Sequence, residues 1–262
     1  LGKITAEDTE RILQLQRREG IRFGDAALKL RLVTEADIRR SLSIQFDYRY
    51  LPDEAGELDR KLVAAYQPFS ADAEALRALR SQLVMRWFGN GNKALAVIAA
   101  HPGDGCSALA ANLAVVFSQL GENTLLVDAN FREPAQHKLF SLNERRGLTD
   151  ILIGRAGLEA VSRVDALDNL SVLGAGTLPP NPQELLNRRS FGEIMHKLRA
   201  IYDIVIVDTA PAIGTADAQL VAMRCGGALL VSRLDVTPLR DLANVRDQLL
   251  IGDVQIVAGV VQ

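Results

Sequence analysis

Six short apolar runs recur through the later part of the chain, at 94–100 (ALAVIAA), 124–129 (TLLVDA), 170–175 (LSVLGA), 203–209 (DIVIVDT), 227–234 (GALLVSRL) and 256–262 (IVAGVVQ). Amphipathic stretches at helical spacing separate them. Runs that stay apolar at successive positions leave no side for water, so they suit strands buried on both faces of a mostly parallel sheet, with the intervening helices as cover. The fold class predicted for residues 71–262 is therefore α/β, a mostly parallel sheet with helices on both faces. Ligands on such sheets bind outside the carboxyl ends of the strands. The chemically suggestive residues of this chain fall at those ends.

The first run leads into AHPGDGCS, Ala100 to Ser107, between a strand and the start of a helix. Gly103 and Gly105 let the backbone approach an anion. The N–H groups of Gly103, Asp104, Gly105, Cys106, Ser107 and Ala108 add to the positive end of the helix. This is the outline of a phosphate-binding loop. In the full pattern position 106 is a lysine that reaches the β and γ phosphates, and the hydroxyl at 107 holds Mg²⁺; here Cys106 stands in place of the lysine and Ser107 is present. A thiol at a helix N-terminus is a candidate for a lowered pKa and redox sensitivity; the plainer reading is a small neutral filler. The second motif, LLVDANFREP (125–134), ends a strand with Asp128 and carries Arg132 four residues on. The third, IVIVDTAP (204–211), is a Walker-B-like strand whose Asp208 would hold a metal directly or through water. An aspartate ending an apolar strand is common. Three such elements in this order in one α/β domain point to a P-loop NTPase-like fold.

The front of the chain reads differently. Residues 1–48 form a small helical unit in which ITAEDTERILQLQ and VTEADIRRSLSIQ each open with Thr followed three residues later by Asp, a variant capping box. Thr5 and Thr34, Leu13 and Leu42, and Gln16 and Gln45 are all 29 residues apart, the pattern of a tandem repeat; two ordinary capped helices are the alternative. Residues 49–70 mix Pro, Gly and charge without periodicity and read as a linker. The helix that follows sets Leu76, Leu79, Leu83 and Trp87 on one side and Glu74, Arg77 and Arg80 on another, a pattern a solvated helix face would also give.

These residues resemble a known family. The three motifs, the EALRALR stretch (Glu74, Arg77, Arg80), RGLTDIL, LPPNPQELL and DTAPAIGTADAQLVA are similar to the cytoplasmic domains of bacterial tyrosine kinases that regulate exopolysaccharide synthesis, relatives of the MinD and ParA ATPases. The likeness spans about residues 70–262. It implies ATP or ADP with Mg²⁺ in the loop, metal held by Ser107, Asp128 and Asp208, and Asp128 and Arg132 in activation of an acceptor tyrosine. It also implies homo-oligomerisation through Glu74, Arg77 and Arg80, and a membrane-embedded polysaccharide co-polymerase or export component as partner. The chain departs from the family pattern at Cys106, at Ala108 where Thr is usual, and at Asn130 where a second Asp is usual; its tyrosines are 48, 50, 66 and 202. Losing a charge-assisted contact of about 1.5–3 kcal/mol weakens ground-state binding roughly ten- to a hundredfold, and phosphoryl transfer suffers more. Arg132 is a candidate to supply the missing cation. The departures leave two further readings open, an inactive pseudokinase or scaffold and a MinD/ParA-type positioning ATPase, the latter opposed by NPQELL and the Glu74–Arg77–Arg80 helix.

Residues 22–45 are in turn similar to a repeat in the N-terminal domains of type II secretion and pilus-assembly ATPases, matched at Arg22, Gly24, Leu32, Leu42 and Gln45. That likeness implies a cyclic di-GMP clamp built on Arg22 and Gly24; a ligand-free protein-interaction module is the alternative.

Thirty basic against 32 acidic residues give a net charge of −2, which carries neither a nucleic-acid footprint nor a polybasic membrane anchor. Two cysteines, outside any metal-type cluster, fit a reducing compartment and hence the cytoplasm, with membrane association through the partner. No apolar run approaches the roughly 20 residues that span a bilayer, and the opening LGKITAEDTERI is not a signal sequence, so direct membrane insertion is not expected. His101, His137 and His196 match no ligand spacing and read as structural or surface residues.

Overall fold

The computed structural model describes residues 2–38, 41, 51, 58–143 and 145–262. It divides into two compact units, Leu1–Pro52 and Asp53–Gln262.

In the first unit, α1 (Ala6–Glu19) begins at Thr5, whose hydroxyl accepts from the Asp8 N–H while the Asp8 carboxylate accepts from the Thr5 N–H. It ends at Gly20, where φ is 67°. α2 (Phe23–Lys29) follows. Ile12 and Leu15 of α1 pack against Ala26 and Ala27 of α2 in a small separate core. Residues 35–38 begin a further helical turn. There Thr34 and Asp37 repeat the reciprocal cap seen at Thr5 and Asp8, as the 29-residue spacing leads one to expect. Leu42 and Gln45 lie outside the described residues.

The second unit is built on a seven-stranded sheet, ordered β3-β4-β2-β5-β1-β6-β7. Its strands are β1 (Ala94–Ala99), β2 (Thr124–Asp128), β3 (Ser162–Arg163), β4 (Leu170–Leu173), β5 (Ile204–Asp208), β6 (Gly227–Ser232) and β7 (Gln255–Val261). All neighbours run parallel except β3 and β4. Six strands coincide with the six apolar runs. β3 was not expected; two residues of mixed burial on an edge leave no pattern to read.

The helices are α3 (Val63–Tyr66), α4 (Ala71–Arg86), α5 (Cys106–Ser118), α6 (Gln136–Leu139), α7 (Leu148–Leu152), α8 (Pro182–Asn187), α9 (Arg189–Ile201), α10 (Asp217–Cys225) and α11 (Leu239–Ile251). The unbroken apolar character of the strands has a direct cause. Ala94, Ala96, Ile98, Leu125, Val127, Val205 and Val207 join one core cluster with residues of α8, α9 and α10. The alternate residues Leu95, Val97, Leu126 and Ile206 are equally buried outside that cluster, as expected for the opposite face. Every residue of α5 from Leu109 to Ser118 is buried, and this helix packs on β1, β2 and β5. Full burial of each large apolar side chain contributes about 1.5–3 kcal/mol. The exposed ion pairs of the surface contribute about 0–1 kcal/mol each. The core therefore holds the loop ends in place.

The segment read as a linker needs correction. From Leu58 onward it belongs to the second unit: Leu58, Leu62, Ala64, Ala65 and Tyr66 are buried. The tie is polar as well as apolar. Asn112, inside α5, accepts from the Ala64 N–H and donates to the Lys61 and Ala108 carbonyls. The Tyr66 hydroxyl accepts from the Leu58 N–H and donates to its carbonyl. A segment bound through hydrogen bonds to one buried asparagine shows no hydrophobic period, so it resembles a linker in sequence. No helix among the described residues is long and apolar enough to cross a membrane.

Replacing Asn112 by Leu keeps the volume and orphans the Ala64 N–H and Lys61 carbonyl, at about 1–3 kcal/mol for each group. Urea denaturation should show at least 2 kcal/mol of lost stability on that scale, with proteolysis beginning within 58–66. An unchanged midpoint would refute the tie.

Candidate active site

β1 sits between β5 and β6, and the loop after it opens at the carboxyl edge of the sheet, where β2 and β5 also end. Gly103 and Gly105 both have φ of 85°. That left-handed conformation is costly for residues with a Cβ, and a Cβ at Gly105 would strike the Gln262 side chain. No side chain caps the start of α5. Its first-turn N–H groups therefore stay directed at the loop, as a bound anion requires.

The loop is braced from one side. Asp104 is buried; its Oδ2 accepts from the His101 N–H at 3.0 Å and its Oδ1 from the Thr237 hydroxyl at 2.9 Å. The His101 ring Nε2 lies 2.9 Å from Asp241 Oδ2 on α11. Of the loop residues expected to bind a cofactor, Asp104 thus has its side chain engaged within the protein, and its N–H makes a long contact to the His101 carbonyl at 3.4 Å. His101 is structural, as expected, and ties the loop to α11.

Asp128 and Asp208 are register neighbours on β2 and β5, both buried. Asp128 accepts from the Asn130, Ala135 and Gln136 N–H groups at 3.0–3.1 Å. Burial, and next the neighbouring Asp208, push its pKa up to about 8. Burial likewise raises Asp208, opposed first by the Gln136 amide and then by the nearby Ser107 hydroxyl and Cys106 thiol. Its Oδ2 accepts from Gln136 Nε2 at 2.8 Å, and its Oδ1 is buried without a partner. An orphaned carboxylate oxygen beside Ser107 and a second carboxylate is a donor set that fits a hard divalent cation. Among the described residues no group of three or more His, Cys, Asp or Glu is placed to hold a metal. Ser107, Asp128 and Asp208 would hold Mg²⁺ together with ligand or solvent oxygens.

Cys106 turns its sulfur down to the Val97 carbonyl at 3.1 Å, which the Thr209 hydroxyl also donates to. Burial, and then the Asp208 charge, raise the thiol pKa well above the usual cysteine value. The lowered-pKa reading is therefore overturned: for the half-buried Cys106, desolvation of the inward-turned sulfur and the adjacent carboxylate outweigh the helix N-terminus. Arg132 is committed as well. Its Nε and a terminal nitrogen donate to the two carboxylate oxygens of Asp217, at 2.7 and 3.3 Å. Asn130 Oδ1 accepts from the Arg132 and Glu133 N–H groups, so it closes the turn after β2. Ala108 lies on the first turn of α5, beside the Asn112 tie.

Away from the loop, Glu74 is 75% exposed and pairs with Arg77, whose side chain is only 13% exposed. Arg77 also donates to the Pro68 carbonyl, and Arg80 donates to the Val116 carbonyl of α5. These arginines are turned inward rather than forming a solvated face. In the first unit, Arg22 precedes α2 without capping it, and a Cβ at Gly24 would lie 3.2 Å from Ile38. The bare glycine there admits a helix neighbour. Gln136, Thr237, Asp241 and Asp217 went unnoticed in the sequence: Gln136, Thr237 and Asp241 sit in none of the quoted motifs, and Asp217, inside DTAPAIGTADAQLVA, has no local pattern that points to its partner Arg132.

The sheet order and the strand-end constellation are those of a P-loop NTPase-like α/β domain. No protein-family model matches the chain. It is 35% identical over 192 residues to the tyrosine-protein kinase YwqD of Bacillus subtilis, covering 73% of this chain and 81% of that protein. It is 34% identical to the tyrosine-protein kinase Wzc of Salmonella typhimurium over 70% of the chain, a match that spans 25% of Wzc. The kinase domain of the Escherichia coli tyrosine kinase ETK superposes with a TM-score of 0.74 at 28% identity, covering 82% of this chain and 80% of that one. The chain belongs to the bacterial tyrosine-protein kinases. MinD from Pyrococcus horikoshii, solved with Mg-ADP, shares the fold at a TM-score of 0.57 and 22% identity, covering 65% of this chain and 70% of that one.

The carboxylate pair sets the pH dependence. Because Asp128 holds its proton up to about 8 in the fold and releases it near 3.8 when unfolded, the native state binds more protons between those values. Stability without divalent cation therefore falls as pH rises through that window. Asp208→Asn keeps the oxygen that Gln136 bonds and removes one of the two charges. Thermal melts in EDTA should show this variant at least as stable as the unmodified chain at pH 8.5, with a flatter slope from pH 5. A slope equal to that of the unmodified chain would contradict the pairing.

Proposed function

We propose that this chain is a nucleotide-binding regulator of exopolysaccharide polymerisation or export, built on the tyrosine-autokinase domain, in which Mg-nucleotide binding persists and phosphoryl transfer is impaired. One observation carries this reading. The amide cradle and the orphaned Asp208 oxygen are intact, whereas position 106 offers a thiol turned onto the Val97 carbonyl instead of a cation aimed outward.

Each residue then has a definite task. The N–H groups of residues 103–108 receive phosphate oxygens, and Ser107, Asp128 and Asp208 hold the metal. When bound, Mg²⁺ neutralises charge on those oxygens. Proton removal from an acceptor hydroxyl needs a base, and Asn130 cannot provide one: amide oxygens are not basic at neutral pH, and this one already accepts two N–H groups. The engagement of Arg132 with Asp217, itself 1% exposed, argues against its swinging in to replace the lysine. The binding half of the site survives, and the charge that favours the transition state is missing.

In this reading control of polymer synthesis runs through a membrane-embedded co-polymerase or export partner and through self-association by the Glu74–Arg77–Arg80 helix, on the cytoplasmic side of the membrane. The relatives named as tyrosine-protein kinases support it. A wholly ligand-free scaffold is disfavoured by the unspent cradle and carboxylates.

Isothermal titration with Mg-ADP and a phosphate-release assay with Mg-ATP test this on the unmodified chain and on Cys106→Lys. The unmodified chain should bind Mg-ADP with little turnover. The lysine variant should bind about ten- to a hundredfold more tightly and gain turnover. Equal turnover in both would overturn the impaired-transfer reading, and no binding in either would overturn the nucleotide reading.

A further inference from the structure

Gln136 touches all three motifs and belongs to none of them. It is fully buried at the start of α6. Its backbone N–H donates to Asp128 Oδ2 at 3.0 Å; its side-chain Nε2 donates to the Ser107 carbonyl at 3.1 Å and to Asp208 Oδ2 at 2.8 Å. Both Nε2 protons thus go to acceptors. Turning the amide over would set its oxygen against a carbonyl and a carboxylate, so the neighbours fix its orientation. The remaining atom, Oε1, is buried and has no partner, and the same holds for Asp208 Oδ1. Two unsatisfied acceptors therefore flank a single 2.8 Å hydrogen bond. Buried groups in that condition are costly and need an explanation. A donor-bearing or positively charged ligand would satisfy both.

We propose that Gln136 is a positioning residue for the cation site: it fixes Asp208 to the backbone of Ser107 and presents its own carbonyl toward the solvent shell of a divalent cation. The inference rests on the reading of this pocket as a Mg-nucleotide site. Partners that orient metal ligands typically change metal affinity ten- to a hundredfold when removed. A residue that merely filled the core would change stability and leave that affinity alone. In this chain the role carries extra weight. With a thiol at position 106, the amide of Gln136 is a neutral donor that already holds the third-motif carboxylate to the loop, and it reaches there from the turn after β2.

The test uses the whole chain and Mg²⁺ alone. Binding is read by titration calorimetry and by the Mg²⁺-induced rise in melting temperature, for the unmodified protein and for Gln136→Met, which keeps the length and removes both donors and the carbonyl. ADP binding in EDTA is measured in parallel. The expected result is Mg²⁺ affinity at least tenfold weaker in the variant, with metal-free ADP affinity within twofold. If the methionine variant does not melt cooperatively, Gln136→His, which keeps one donor, should show a smaller loss in the same direction. Mg²⁺ affinity unchanged within twofold in the folded variant would overturn the proposal, as would no Mg²⁺ response in the unmodified chain. In that last case ADP binding in EDTA reports separately on whether the nucleotide reading stands.

Discussion

Asp128 and Asp208 end adjacent parallel strands with their carboxylates buried side by side. Two like charges in a dry setting cannot both persist without compensation, so the pair holds a proton or takes a cation. The surrounding structure follows from that constraint. Three N–H groups at the turn after β2 converge on Asp128, and a glutamine amide donates to Asp208. One oxygen is still left without a donor. An arrangement this costly is hard to explain as packing. It has the form of a site whose balance is completed by a ligand.

The loop after β1 is held rigidly for the same purpose. Asp104 binds it to Thr237, ahead of α11, and His101 to Asp241 within α11, and α5 is buried along most of its length. Its amides are thus pre-oriented, and the absence of a lysine does not disturb the cradle. What the substitution changes is local. The thiol fills the floor beside Asp208, and its raised pKa keeps it neutral. In the proposed reading the loop offers its amides and no side-chain cation at position 106.

Much of this was legible in the sequence. The strands announced themselves because both faces are buried, and the three strand ends because they occur together and in order, although an aspartate ending any one apolar strand is common. The capping boxes at Thr5 and Thr34 were equally plain. What stayed hidden was contributed by single polar residues acting across the fold. Asn112 makes a seeming linker part of the domain, and Gln136 joins elements that lie far apart in the chain. The commitment of Arg132 depends on Asp217, 85 residues away. Of the two readings of Cys106, the acidic thiol suggested by helix position is set aside by desolvation and a carboxylate neighbour, which leaves the plainer one, a small neutral filler. The edge strand β3 is too short for any periodicity to show.

The most direct test of the account is a crystal structure grown with ADP and Mn²⁺, with the metal located by its anomalous scattering. The terminal phosphate is expected against the amides of residues 103–108, with a manganese peak beside Ser107 and Asp208. An empty loop at saturating nucleotide, or manganese found only elsewhere, would contradict it.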